Sequence, residues 1–154
     1  MNLKGSPMKF LTRALSVAVI CAATATAVTA QEAKKLVTVV TSAEPQTQLM
    51  AMVLTMQAAQ QGAEAHILLC GPAGDIALRN APESATSGQP PRDMSPQGLM
   101  QAIRQKTGTS VEVCAIYLPG RGEDASVLLE GVGVAKPDEM AARLMADGTR
   151  VLSF

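Results

Sequence analysis

The sequence predicts a single-domain α/β fold, a mostly parallel sheet with helices on both faces. Three observations lead there. The runs KLVTVVT at 35–41, AHILLC at 65–70 and VEVCAIYL at 111–118 are rich in β-branched and apolar residues on both faces, as strands of a doubly covered sheet must be. Helical patterns stand between them, which parallel connections require. Turn residues close each run: Pro45, then Gly71-Pro72, then Pro119-Gly120.

The elements follow in order. After KLVTVVT the loop SAEPQ leads into a helix over 47–61, where Leu49, Met52, Val53, Met56 and Ala59 recur at spacings of three and four and share one face. Gly62 ends it. The second strand comes next, then one or two helical turns over 74–79. From Asn80 to Asp93 the chain is rich in Pro, Ser and Gly without periodicity, the signature of an exposed loop. Ser95-Pro96 supplies an N-cap and a first-turn proline for a helix running to about Thr107, with Leu99, Met100 and Ile103 inward and Gly108 closing it. The third strand is VEVCAIYL. A short helix is expected near 124–130. Pro137-Asp138-Glu139 opens the last helix, because proline presets the backbone and two acids suit the positive end of the helix dipole. Gly148 ends it, and TRVLSF at 149–154 is a closing strand. No internal repeat and no second domain is visible.

Residues 1–30 read differently from the rest. Lys4, Lys9 and Arg13 precede an uncharged apolar stretch at 14–28, and Val28-Thr29-Ala30 offers small side chains at a cleavage position. A basic start, a short apolar middle and such a site describe a secretory signal peptide. The stretch is short of the roughly 20 residues that span a bilayer. An uncleaved anchor is the alternative. A lipoprotein is disfavoured, because Ile20 precedes Cys21 where a small residue is needed. The expected mature chain is Gln31–Phe154, a periplasmic domain with no stable membrane insertion after cleavage.

Removing that segment takes three of the 13 basic residues and none of the 13 acidic ones, leaving a formal charge of −3. No Lys/Arg run exists, and the only aromatics left are Tyr117 and Phe154. Neutralising phosphates and stacking on bases have few residues to work with, so nucleic acid is excluded as a partner.

Two cysteines remain, Cys70 and Cys114. In an open parallel sheet reactive groups gather at the carboxyl ends of the strands. Cys114 lies late in its strand and Cys70 at the end of its own. A thiol reacts as thiolate, and a nearby cation or helix N-terminus lowers its pKa from about 8.5. Arg121 on the following loop, or a helix start near Asp124, offers such an effect for Cys114. The competing reading is a small apolar filler, which free cysteines often are. Cys70, among Leu68, Leu69 and Gly71, reads as a buried thiol. If the first strand sits between the second and third, two strand spacings put the cysteines about 9–10 Å apart, beyond disulfide reach. Two unbridged thiols are therefore expected.

Other residues carry less. His66 is the only histidine, and without a second ligand it reads as a strand-edge residue rather than a metal ligand or a triad base. PGRG at 119–122 lacks the Lys-Ser/Thr ending of a phosphate loop and reads as a turn. Met50, Met52 and Met56 read as core, since Met50 and Met52 cannot share a helix face.

From about Lys35 to Phe154 the chain resembles the DsrE/DsrF-like proteins, the family of the TusD-type sulfur-relay subunits and the YchN-type proteins. Four features carry the likeness. They are KLVTVV followed by a polar loop and a helix; VEVC followed by a loop bearing Arg121-Gly122; LLEGVGV at 128–134 leading into a helix; and the ending ADGTRVLSF. The resemblance implies a DsrE-like sheet of about five strands with flavodoxin/Rossmann-like layering, assembled as a homotrimer or hexamer. It also implies a role for one residue, because Cys114 occupies the position that carries sulfur as a persulfide in the relay members. Position 117, where some members have a second cysteine, is Tyr117 here. The implied function is a sulfur carrier or sulfurtransferase-type component. It would use Cys114 with Arg121 in support and exchange sulfur with a small donor or a partner-protein thiol, without cofactor or metal. A non-catalytic binding or assembly module of the same fold, with Cys114 buried, is the alternative.

Overall fold

The computed structural model describes residues 1, 2, 5 and 34–154. Apart from residues 1, 2 and 5, the signal segment expected at 1–30 lies outside the described residues. The elements are β1 (Lys35–Val40), α1 (Pro45–Gln60), β2 (Glu64–Leu69), a 3₁₀ segment (Gly71–Ala77), α2 (Glu83–Thr86), α3 (Pro96–Thr107), β3 (Ser110–Val113), α4 (Tyr117–Arg121), a 3₁₀ turn (Ala125–Val127), β4 (Gly133–Val134), α5 (Pro137–Met145) and β5 (Thr149–Ser153).

The five strands form one all-parallel sheet in the order β4-β3-β2-β1-β5. This order corrects the expectation that the first strand lies between the second and third. The physical reason is the right-handed crossover. Two successive crossovers in the same direction place both helices on one face, and α1 and α3 do pack together there. The chain then reverses, and α5 returns over the other face to bring β5 against the free side of β1.

Alternation along the strands matches two cores. Val40, Ile67, Leu69, Val111 and Val113 face α1 and α3 in the larger one. Val37 and Leu68 face the other way and meet Ala135 and Met140 in the smaller one. Helix α1 buries Gln48, Ala51, Met52, Thr55 and Met56, a face rotated from the expected one. Two polar residues lie inside with hydrogen bonds to their neighbours, although Oε1 of Gln48 has no partner. Thr55 Oγ1 donates to the Ala51 carbonyl at 2.8 Å and lies 2.7 Å from Thr38 Oγ1 on β1. Gln48 Nε2 donates to the Ser42 carbonyl at 2.8 Å and pins the loop after β1.

The caps read from sequence for α3 form as expected, whereas α5 ends at Met145 with Ala146 as its cap, ahead of Gly148. Ser95 Oγ accepts the Gly98 N–H at 3.1 Å, and Gly108 closes α3 at φ 69°. Other local expectations are corrected. The third strand stops at Val113, and Tyr117–Arg121 is a turn of helix, because Tyr117 and Leu118 bury themselves from a helical backbone. The loop after Asn80 contains α2, whose Ala85 is buried. The helix expected near 124–130 is a 3₁₀ turn, capped by Asp124 Oδ1 accepting from the Ser126 N–H at 2.8 Å. Among the described residues no helix is long and apolar enough to cross a membrane.

Candidate functional site: a cysteine pair at the carboxyl edge

Strands β2 and β3 end side by side, and each is followed directly by a cysteine. Leu69 and Val113 are register partners, so Cys70 and Cys114 are the next pair along. The Cys114 N–H donates to the Leu69 carbonyl at 2.9 Å, which extends the ladder one step past the strands. The two Cα atoms lie 5.1 Å apart, inside disulfide range, and the sulfurs are bonded. The expectation of two unbridged thiols is thus overturned. Its arithmetic assumed an intervening strand, and none intervenes. Both cysteines are half-buried; Cys114 packs against both cores and Cys70 against the smaller one.

The loops after β2 and β3 are stitched together beside the pair. The Arg79 N–H donates to the Val127 carbonyl at 2.9 Å, and the Leu129 N–H to the Ala77 carbonyl at 2.8 Å. Tyr117 Oη donates to Asp75 Oδ1 at 2.6 Å, joining α4 to the 3₁₀ segment that follows Cys70. The Tyr117 ring lies against Gly74, where a Cβ would overlap it. Burial first, then the bond to Asp75, pushes the Tyr117 hydroxyl well above the usual phenol range, so it remains a donor.

Arg121 stands on α4 after Cys114, but its guanidinium is engaged elsewhere. Nη1 pairs with Asp75 at 3.2 Å and Nε with Glu123 at 2.7 Å, and Cζ sits 5.5 Å from the Tyr117 ring centroid. Two carboxylates offset its charge. Sequence reasoning missed Asp75, Tyr117 and the pairing of Cys70. One signal pointed to the pairing. Both cysteines end an apolar strand run immediately before a turn, which aligns them whenever the strands are neighbours.

No protein-family profile matches the chain, and no curated protein matches it. Solved structures do. The crystal structure of the YchN protein from E. coli aligns with a TM-score of 0.60 over 79% of this chain and 99% of that one, at 21% sequence identity. The chain has the YchN fold. A protein of unknown function from Methanobacterium thermoautotrophicum aligns with a TM-score of 0.57 over 78% of this chain and 98% of its own, at 14% identity. The DsrE/YchN-type architecture expected from the sequence is therefore present.

Two concavities of this YchN-type domain lie away from the cysteines. One, of about 740 Å³, runs between α1 and α3 and includes Leu49, Val53, Met94 and Leu99 in its walls. The other, of about 100 Å³, lies at the amino edge of the sheet beside His66 and Arg143. Neither includes a cysteine in its lining. His66 itself corrects an expectation. It is not an edge residue but the third residue of β2, only 2% exposed. Nδ1 lies 2.6 Å from Ser110 Oγ, and Nε2 lies 3.1 Å from Glu112 Oε2 on the neighbouring strand. Burial, and then the charge of Arg143, lowers its pKa to about 4. Among the described residues no three His, Cys, Asp or Glu side chains are grouped to hold a metal.

Proposed function

We propose that this is an exported, periplasmic sulfur-handling protein whose reduced Cys114 accepts sulfane sulfur and passes it on. Cys114 stands half-exposed at the carboxyl edge of a YchN-type sheet, where such folds place their reactive groups, and that observation carries the reading. The Cys114 thiolate attacks the outer sulfur of a persulfide donor. The donor's sulfur–sulfur bond breaks, its thiolate leaves, and Cys114–S–SH remains. A partner-protein thiolate then takes the outer sulfur and releases the Cys114 thiolate. No organic cofactor or metal enters these steps. Arg121 acts as a positioning residue, holding α4 against Asp75 rather than binding the anion.

Self-association as a homotrimer or hexamer is part of the proposal, supported by exposed apolar side chains at Ile116, Met145 and Val151. A second reading is favoured by the disulfide itself: a binding or assembly module in which Cys70–Cys114 is a staple. Intact mass separates the two. Reduced Cys70→Ser, which cannot form the disulfide, should gain one sulfur atom from a persulfide donor, and Cys70→Ser/Cys114→Ser should gain none. An equal gain on the double variant, or no gain on Cys70→Ser, would leave the staple.

A further inference from the structure

We propose that Cys70 is the resolving thiol of this site, attacking sulfur-loaded Cys114 to expel hydrosulfide and close the disulfide. The inference rests on Cys114 carrying sulfane sulfur. It adds a product, hydrosulfide, and a partner class, a dithiol reductant.

The geometry dictates which sulfur is attacked. A thiolate can take the outer sulfur of a persulfide, which moves the load, or the inner sulfur, which forms a disulfide. Cys70 and Cys114 face each other as the next register pair after Leu69 and Val113, with Cα atoms 5.1 Å apart and their sulfurs in bonding contact. The sulfur that Cys70 meets is therefore the Cys114 sulfur itself, the inner one. A C-x-x-C arrangement would bring its second thiol from the next turn of chain. Here that position is Tyr117, which is buried and donates to Asp75. The resolving sulfur comes instead from the adjacent strand. Neighbouring parallel strands hold the two groups without rearrangement, so the step is intramolecular and outruns transfer to a dilute external thiol.

The step balances. The Cys70 thiolate attacks the inner sulfur of Cys114–S–SH. The bond between the two sulfurs on Cys114 breaks, and its electron pair leaves with the outer sulfur as hydrosulfide. Sulfane sulfur is reduced by two electrons, and the two cysteine thiols are oxidised to the Cys70–Cys114 disulfide. A dithiol reductant must then attack that disulfide, accept oxidation to its own disulfide and restore both thiols. Both cysteines of the pair are half-exposed, as that attack requires. A docked partner thiol takes the outer sulfur; without one, this site releases free sulfide and draws on a dithiol.

The test uses the purified protein, reduced and freed of reductant, with glutathione persulfide as the probe. Released sulfide and intact mass are followed together. Wild type should release one hydrosulfide per chain and finish with Cys70 joined to Cys114 in the nonreducing peptide map. Cys70→Ser should retain one sulfur on Cys114 and release sulfide roughly tenfold more slowly or worse. The wild-type time course needs no variant to fold, so it stands as an independent measurement. Stable persulfide on wild-type Cys114, with no sulfide released, overturns the resolving role and leaves the carrier reading intact. No sulfur on either protein removes the carrier reading, and the inference falls with it.

Discussion

Removing the link between Cys70 and Cys114 should cost this domain much of its stability. The perturbation is the double substitution Cys70→Ala/Cys114→Ala. The two residues are 44 positions apart, and the link closes a loop containing α2, α3 and β3. In the chain-entropy description, a loop of that length restricts the unfolded chain by about 13 cal/mol/K, or about 4 kcal/mol at 25 °C. For a domain of roughly 120 residues the unfolding entropy near the midpoint is about 0.25 kcal/mol/K, so melting should fall by about 15 °C. Urea unfolding followed by far-ultraviolet circular dichroism measures the difference, with reduced wild type as the control. The oxidised wild type should stand apart from both the variant and the reduced protein. If all three unfold at the same urea concentration, the link does not restrain the unfolded chain and the pairing of β2 with β3 at this edge is wrong.

Other residues offer further tests. The pKa of His66 falls from 6.5 in the unfolded chain to about 4 in the fold, so its neutral form stabilises the domain fully above pH 6.5. That contribution is lost as pH drops from 6.5 through 4, by at most about 3 kcal/mol, with Glu112 beside Nε2 reducing it. His66→Gln should flatten the dependence in urea titrations, and an unchanged slope would refute the assignment. Gly74→Ala drives a Cβ into the Tyr117 ring and should cost about 1–3 kcal/mol, much of it recovered when Tyr117→Ala is added. Additive losses in the double variant would show that the ring is not the obstacle. Ser95→Ala removes the α3 cap and should cost about 1 kcal/mol in thermal melts, against no loss if Gly98 finds another partner. Arg121→Ala should leave stability nearly unchanged, since its ion pairs are solvent-screened. A collapse of the fold would contradict that.

Local chemistry was legible in the sequence wherever one residue type serves one backbone need. Ser95-Pro96, Gly108 and Pro137 mark helix ends because a hydroxyl acceptor, a fixed φ or a left-handed turn is required at those points. Pro45 read as a loop breaker, but it is the first residue of α1. The end of the third strand was not legible, since AIYL stays apolar across the junction. Tyr117 and Leu118 are apolar for burial from α4, while Ile116 on the same stretch is 81% exposed. A two-residue strand such as Gly133–Val134 has no periodicity to read. Strand order is not a local property, because it follows from the face over which each crossover packs. The site inherited that gap. Cys114 was placed at the carboxyl edge from sequence, but Cys70 could be joined to it only once β2 and β3 were neighbours. His66 likewise reads as a lone polar residue until Ser110 and Glu112 are brought beside it from β3.

The account stands or falls on whether the cysteine pair is a working site or a sealed staple, and native-state thiol labelling after reduction decides it. The protein is reduced without denaturant, its fold is checked by circular dichroism, and alkylation of Cys70 and Cys114 is followed separately by peptide mass. The account predicts that Cys114 is alkylated while the domain stays folded, at a rate that rises with pH as its thiolate forms. Labelling of both cysteines only at the rate of global unfolding would contradict it.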